Sequence, residues 1–166
     1  IAFILTGSNT RNTFTADLAP NYENWEDRFT TPATPYVTSQ LFGGTKAYNL
    51  FKFISVDDGD FAANKYKIEI HELVPDSAGG YGTFKVSVRS FDNPDTEKEA
   101  LKTWKCSIDP SSPFYIAKQI GDKNIYFDFD KEKKSQKLVE TGEYPVTNVY
   151  VRVEVDELVR DKEVPQ

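Results

Sequence analysis

Four sets of side chains in this sequence are of types that do chemistry: the acidic turn Asp57-Asp58-Gly59-Asp60, the single histidine His71, the single cysteine Cys106, and the carboxylates Asp128 and Asp130. A calcium loop places oxygen ligands at alternate positions over about twelve residues and closes on a bidentate glutamate. The twelfth place, counted with Asp57 as the first, is Ile68 and not a glutamate, so a solvated hairpin turn is the expectation. His71 shares a strand face with Lys67 and Glu69. As a general base it would need a nucleophile and an orienting carboxylate brought to it by the fold. No G-x-S-x-G elbow or H-E-x-x-H run supplies them, which leaves an exposed strand histidine. Asp128 and Asp130 lie on one strand face, about 7 Å apart by strand rise. Such a pair could serve a glycosidase, but charges on an outer strand face more often oppose edge-to-edge aggregation.

Cys106 alternates with Trp104 and Ile108 and reads as a small buried hydrophobe. A catalytic thiol would need the one histidine beside it. A lone cysteine also excludes an internal disulfide framework and a thiolate metal cluster. The glycine pairs Gly43-Gly44 and Gly79-Gly80 follow no strand-GxGxxG-helix order, so no phosphate cradle is expected. The expectation is therefore no catalytic, cofactor-binding or metal-binding residue, and no enzyme.

Composition points the same way. The chain has 166 residues, 39% of them apolar and 28% charged, in the range of globular domains with a real core. Twelve Phe, nine Tyr and two Trp favour the half-buried surface of a sheet. A net charge of −6 argues against nucleic acid, which is held by basic patches. The one basic cluster, Lys131 to Lys134, reads as a solvated turn. No apolar run approaches the ~20 residues of a bilayer span, and the opening IAFIL is too short for a signal-peptide core. The chain contains no methionine, even at position 1, so a piece of a longer polypeptide is expected.

The elements that would position these side chains are mainly strands. Ile1 to Thr6 reads as a strand, followed by a Thr- and Asn-rich loop and a possible helical turn at Asn24 to Phe29. Pro32 and Pro35 make Thr30 to Gln40 an extended connector. Tyr48 to Ser55 is a strand closed by the turn DDGDFAAN. In Lys65 to Val74, Tyr66, Ile68 and Ile70 face one way and Lys67, Glu69 and His71 the other. In Thr83 to Phe91, Phe84, Val86 and Val88 face inward and Lys85, Ser87 and Arg89 outward. Asp92 to Asp95 turns the chain. Glu99 to Ile108 is extended, although Thr96 to Lys102 could open as a helix. Ile125, Phe127 and Phe129 mark another strand, and Val149, Val151, Val153 and Val155 the last. The pattern predicts an α+β, mainly β fold: mixed or antiparallel sheets, or a sandwich, with one or two short helices packed on the sheet. Residues 1–45 read as an N-terminal strand and connector and 46–166 as the main β-rich domain, or the whole as one continuous domain.

The stretch CSIDPSSPFYIAKQIGD, from Cys106 to Asp122, is the best specified joint. Asp109-Pro110 stops a strand, Ser111 or Ser112 can cap a helix, and Pro113 fits its first position. Phe114, Ile116, Ala117 and Ile120 give an apolar stripe, and Gly121 a left-handed stop, so a two-turn helix over 112–120 is predicted. The order Val86, Val88, Arg89, then Trp104, Ser107 to Pro110, Ser112-Pro113, Tyr115-Ile116 and Ile120 to Asp122 resembles the contractile tail sheath proteins of bacteriophages. The upstream ATPYVTSQLFGG and LFKFISVDDGDFAANKYKIEI are similar to the same family, and the resemblance spans roughly residues 33 to 129.

That resemblance implies a structural virion component: many copies in helical rings around an inner tube, sliding from an extended to a contracted state during DNA delivery. It implies neighbouring sheath subunits, the tail tube and the baseplate as partners, with no nucleic acid and no membrane insertion. It places the protein in the phage tail, assembled in the host bacterial cytoplasm. Whole sheath proteins run to several hundred residues, so this chain would be one or two of their domains, monomeric by itself. Two rival readings stand beside it. One is a β-sandwich module binding carbohydrate or a cell-surface partner through Trp25, Tyr22 and Tyr36. The other is an enzyme using surface carboxylates.

Overall fold

The computed structural model describes residues 2–4, 31–59, 61–96, 99–128 and 137–165. The acidic residue Asp60, the aromatics Tyr22 and Trp25, the turn at Asn24 to Phe29, and Phe129 to Lys134 lie outside the described residues. The fold is α+β and mainly β, built from three small antiparallel sheets with short helices. The strands are β1 (Ala2–Ile4), β2 (Val37–Thr38), β3 (Asn49–Ser55), β4 (Tyr66–Val74), β5 (Thr83–Ser90), β6 (Ala100–Ser107), β7 (Asn124–Asp128), β8 (Lys137–Thr141) and β9 (Val151–Val155). The described helices are α1 (Phe61–Lys65), α2 (Ile116–Ile120) and α3 (Glu157–Arg160).

One sheet runs β1-β4-β5-β6, the second β2-β3-β9, and the third is the β7-β8 hairpin. The first two meet through the apolar residues that alternation predicts. Ile68, Val86, Val88, Trp104 and Cys106 from the first join Phe51, Phe53, Val151, Val153 and Val155 from the second in one buried cluster. Phe51 stacks on Phe84 with centroids 5.7 Å apart and rings 3° from parallel, and Tyr66 meets Tyr150 edge-on. Fully burying a ring such as that of Phe51 stabilises by roughly 1.5–3 kcal/mol. The connector at 31–38 is not a free tether: Ala33 bridges Ile54, and Val37 pairs with Phe51.

The structure corrects the inward-outward reading of β4 and β5. Their apolar face is buried as expected, but so is much of the face read as wet: Glu69, Ser87 and Arg89 are 7%, 2% and 1% exposed. For Arg89, and through it Glu69, the physical reason is the turn after β5, which folds back onto the guanidinium; Ser87 is held between His71 and Thr103. Arg89 Nε and Nη2 donate to Asn93 Oδ1 at 2.9 and 2.6 Å, and Nη2 also reaches the Pro94 carbonyl at 2.8 Å. Nη1 binds Glu69 Oε2 at 3.2 Å and Asp95 Oδ1 at 3.0 Å. A buried guanidinium is tolerated because its donors are met.

The predicted helix over 112–120 is also corrected: α2 covers Ile116–Ile120 alone. The Ser112 hydroxyl accepts from the Phe114 amide and Asp109 Oδ1 from the Ser111 amide, so these oxygens close two local turns instead of capping a helix. Tyr115 is extended (ψ 129°) because it forms a parallel bridge with Ser107. Gly121 has φ 102° and ψ 137°, positive but outside the left-handed helical region. Close packing requires the glycine: a Cβ there would sit 2.5 Å from Val146 Cα.

Asn148 locks this joint to β9. Its Nδ2 donates to the carbonyls of Ile120 and Val151 at 3.0 and 2.9 Å, and its Oδ1 accepts from the amides of Tyr150 and Val151 at 2.9 Å each. β9 begins only at Val151, and Val149 is exposed. Residues 100–107 are strand, which settles the alternative of a helix through Lys102. α1 lies within the stretch read as a turn, and α3, capped by Asp156, was not expected.

Candidate functional site

His71 is half-buried and bonded, not exposed as expected. Its Nε2 lies 2.8 Å from Ser87 Oγ, and that oxygen lies 2.8 Å from Thr103 Oγ1. Glu72 Oε1 stands 3.6 Å from His71 Nδ1. Carboxylate, imidazole and hydroxyl thus fall in the order of a nucleophile triad. The geometry does not complete one. Ser87 is buried on β5, between β4 and β6, and its oxygen is shared with Thr103. Glu72 binds Lys85 Nζ at 2.6 Å, and that bond, above all, holds its carboxyl below the usual range. The row stitches β4, β5 and β6 together by side-chain hydrogen bonds.

Cys106 sits where its alternation places it, fully buried and free, with its thiol pushed up to about 12 by burial. The thiolate that a nucleophile or metal ligand needs is suppressed there. In the acidic turn, Asp58 accepts a hydrogen bond from the Thr31 hydroxyl, and the Asp57 amide donates to Ser55 Oγ at 3.2 Å. Among the described residues no three His, Cys, Asp or Glu side chains gather to hold a metal ion. The side chains of Asp128 and Asp130 lie outside the described residues. Gly43, Gly44 and Gly79 have φ of 61°, 76° and 82° and turn the chain.

A polar cleft of about 710 Å³ lies between β9, α3 and the β7-β8 hairpin. Its organising group is Glu154 on β9. Lys52, directly opposite on β3, places Nζ 2.8 Å from Glu154 Oε1, and the Tyr36 hydroxyl donates to the same oxygen at 2.8 Å. Lys52 Nζ also lies 4.9 Å from the centroid of the Tyr36 ring. Burial and the bond to Glu154 push the Tyr36 phenol up to about 12. Burial opposes charge on Glu154, but hydrogen bonds from Lys52 and Tyr36 outweigh it and hold the carboxyl below its usual range.

No family model, curated protein or solved structure matches this chain.

The rest of the cleft wall is charged and mostly committed. Asp122 Oδ1 accepts from the amides of Glu143 and Tyr144 at 2.9 and 2.7 Å. Asp156 Oδ1 caps α3 through the Leu158 amide at 3.0 Å. Arg160 leans on Glu157 at 3.6 Å. Arg152 differs: half-buried on β9, its guanidinium makes no hydrogen bond or ion pair to another described residue. Burial lowers its pKa, with Glu154 and Asp122 pulling the other way. Of the aromatics named for a binding platform, Tyr36 alone lies among the described residues, and it does line the cleft. Arg152 escapes a reading by alternation because it stands in a strand of valines as an ordinary outward residue.

Among the described residues no helix is long and apolar enough to cross a membrane.

Proposed function

We propose that this chain is a piece of a contractile tail sheath subunit, a structural component of a phage virion. One observation carries the reading. Of the side chains that make up the resemblance, Val86, Val88, Arg89, Trp104, Ser107, Tyr115, Ile116 and Ile120 are buried, while Ile108 to Pro110, Ser112 and Asp122 are half-buried and Pro113 is exposed. The buried ones run in order from β5, an inner strand of the larger sheet, through its neighbour β6, to the helix that packs on β6 and β9. A likeness confined to surface positions could arise from composition. One that runs in good part through a core and its joint supports a shared way of folding.

The chemistry of the described residues supports the same reading. Buried charges and hydroxyls are committed to holding strands, turns and α2 together, which suits a subunit that moves as a rigid body during contraction. The partners on this reading are neighbouring subunits, the tail tube and the baseplate, engaged in the virion after assembly in the bacterial cytoplasm.

The test is to express the complete reading frame that contains these residues and image it by electron microscopy. Helical tubes or stacked rings are expected. A parent that stays dispersed under assembly conditions, and is missing from purified tails, removes the proposal.

A further inference from the structure

The cleft around Arg152 is not needed by the structural role above, and its composition is selective. Four carboxylates (Asp122, Glu154, Asp156, Glu157) and two guanidinium groups (Arg152, Arg160) line it. Excess negative charge disfavours a phosphate or carboxylate ligand, while the two arginines disfavour a simple cation. The wall has little for a purely apolar ligand to displace water from.

What it does offer is hydrogen-bonding capacity of both kinds. The Arg152 guanidinium makes no hydrogen bond to another described residue and its nitrogens are open to solvent, so its N–H donors are available to an acceptor that a ligand brings. The Asn124 side-chain amide, able to donate and accept, has no hydrogen bond to another described residue. Asp122 and Asp156 use Oδ1 internally, which leaves each a second carboxylate oxygen as acceptor. Tyr126, on the hairpin that forms the opposite wall, is 46% exposed and its ring meets no other described ring. The volume of about 710 Å³ falls within the span typical of small-ligand sites, roughly 300–1,000 Å³.

A ligand that accepts from a guanidinium, donates to carboxylates, carries no charge and lays an apolar face on an aromatic ring is a sugar. We propose that this cleft binds a short neutral oligosaccharide, with Arg152 and Asn124 as polar contacts and Tyr126 as the ring on which one sugar packs. The assignment is independent of the sheath reading and would stand or fall without it.

The test uses the 166-residue chain. Maltohexaose, cellohexaose and chitohexaose serve as neutral probes and an oligogalacturonate as the acidic control, each titrated into isotope-labelled protein and followed by NMR. Saturable binding of at least one neutral probe is expected, with perturbed amides clustered at 122–126, 141–142 and 152–158. Tyr126→Ala and Arg152→Gln should each weaken it about tenfold or more, whereas Lys105→Gln, outside the cleft, should leave it unchanged. Because the Tyr126 ring is half exposed, its truncation spares the fold and keeps the test decisive should Arg152→Gln unfold. Absence of saturable binding to all three neutral probes overturns the proposal. So does tighter binding of the acidic control, or binding that survives both substitutions.

Discussion

Replacing Arg89 by methionine keeps the length and bulk of an aliphatic stem and removes the buried guanidinium. Three consequences follow from its contacts. Glu69, itself buried, loses the guanidinium at 3.2 Å as one of its partners; Asn93 and Pro94 lose their bonds to the fork; and Asp95 loses a donor at 3.0 Å. Removing one partner of a buried, hydrogen-bonded charge pair destabilises by about 3–5 kcal/mol. That is a large part of the roughly 5–15 kcal/mol that holds a domain folded. With a urea m-value of about 2 kcal/mol/M, the unfolding midpoint should fall by about 2 M, read from the fluorescence of the buried Trp104. Arg89→Lys should recover only part of this, since one ammonium cannot span Glu69, Asp95 and the Asn93-Pro94 turn together. Glu69→Gln combined with Arg89→Met should be less unstable than Arg89→Met alone, because the buried carboxylate is then gone. Acid adds a further signature. The hydrogen bond from Arg89, assisted by Lys67, holds the Asp95 carboxyl below its ordinary value, so its contribution is present above that value and lost as pH falls through the folded one. The acid limb should flatten in Arg89→Met. A midpoint shift smaller than about 0.5 M would refute the view that Arg89 ties turn to sheet.

Gly121→Ala should lower the melting temperature by about 6–12 °C, since its Cβ would fall 2.5 Å from Val146 Cα at a φ of 102° and cost about 2–4 kcal/mol; a melt within about 2 °C of the parent would contradict that packing. Cys106, buried with its thiol near 12, should react with a disulfide reagent at pH 8 only as fast as the protein opens, the rate rising steeply with urea. Prompt labelling without denaturant would show that the thiol is not where the fold places it.

The strands were legible because alternation is local: β4, β5 and β9 follow directly from the spacing of Ile68, Val86 and Val153. The fate of the opposite face was not. Arg89 reads as a surface residue until the DNPD turn, itself recognisable, is seen to fold back on it, and no period-2 rule encodes that long-range return. The helix start failed for a related reason. Capping chemistry points to Ser112, but two local turns and the pairing of Ser107 with Tyr115 delay the helix to Ile116. β8 was missed because KLVET is short and follows a charged run. Its partner β7 was found from Ile125, Phe127 and Phe129, of which Ile125 and Phe127 lie among the described side chains and prove exposed. At the cleft, Tyr36 could be named in advance as an aromatic candidate, whereas the isolation of Arg152 depends on which neighbours take up Glu154, Asp122 and Asp156.

Asn148 has a mechanical consequence. It stands just ahead of β9, and its one amide group grips the end of α2 and the first residues of the strand at once. Tension entering the chain at Tyr150 is therefore shared between that clamp and the β3 ladder, loaded in shear along five paired residues, from Phe51 with Val155 to Ser55 with Val151. Such a strand resists being unzipped one bond at a time; it yields only when clamp and ladder give way together.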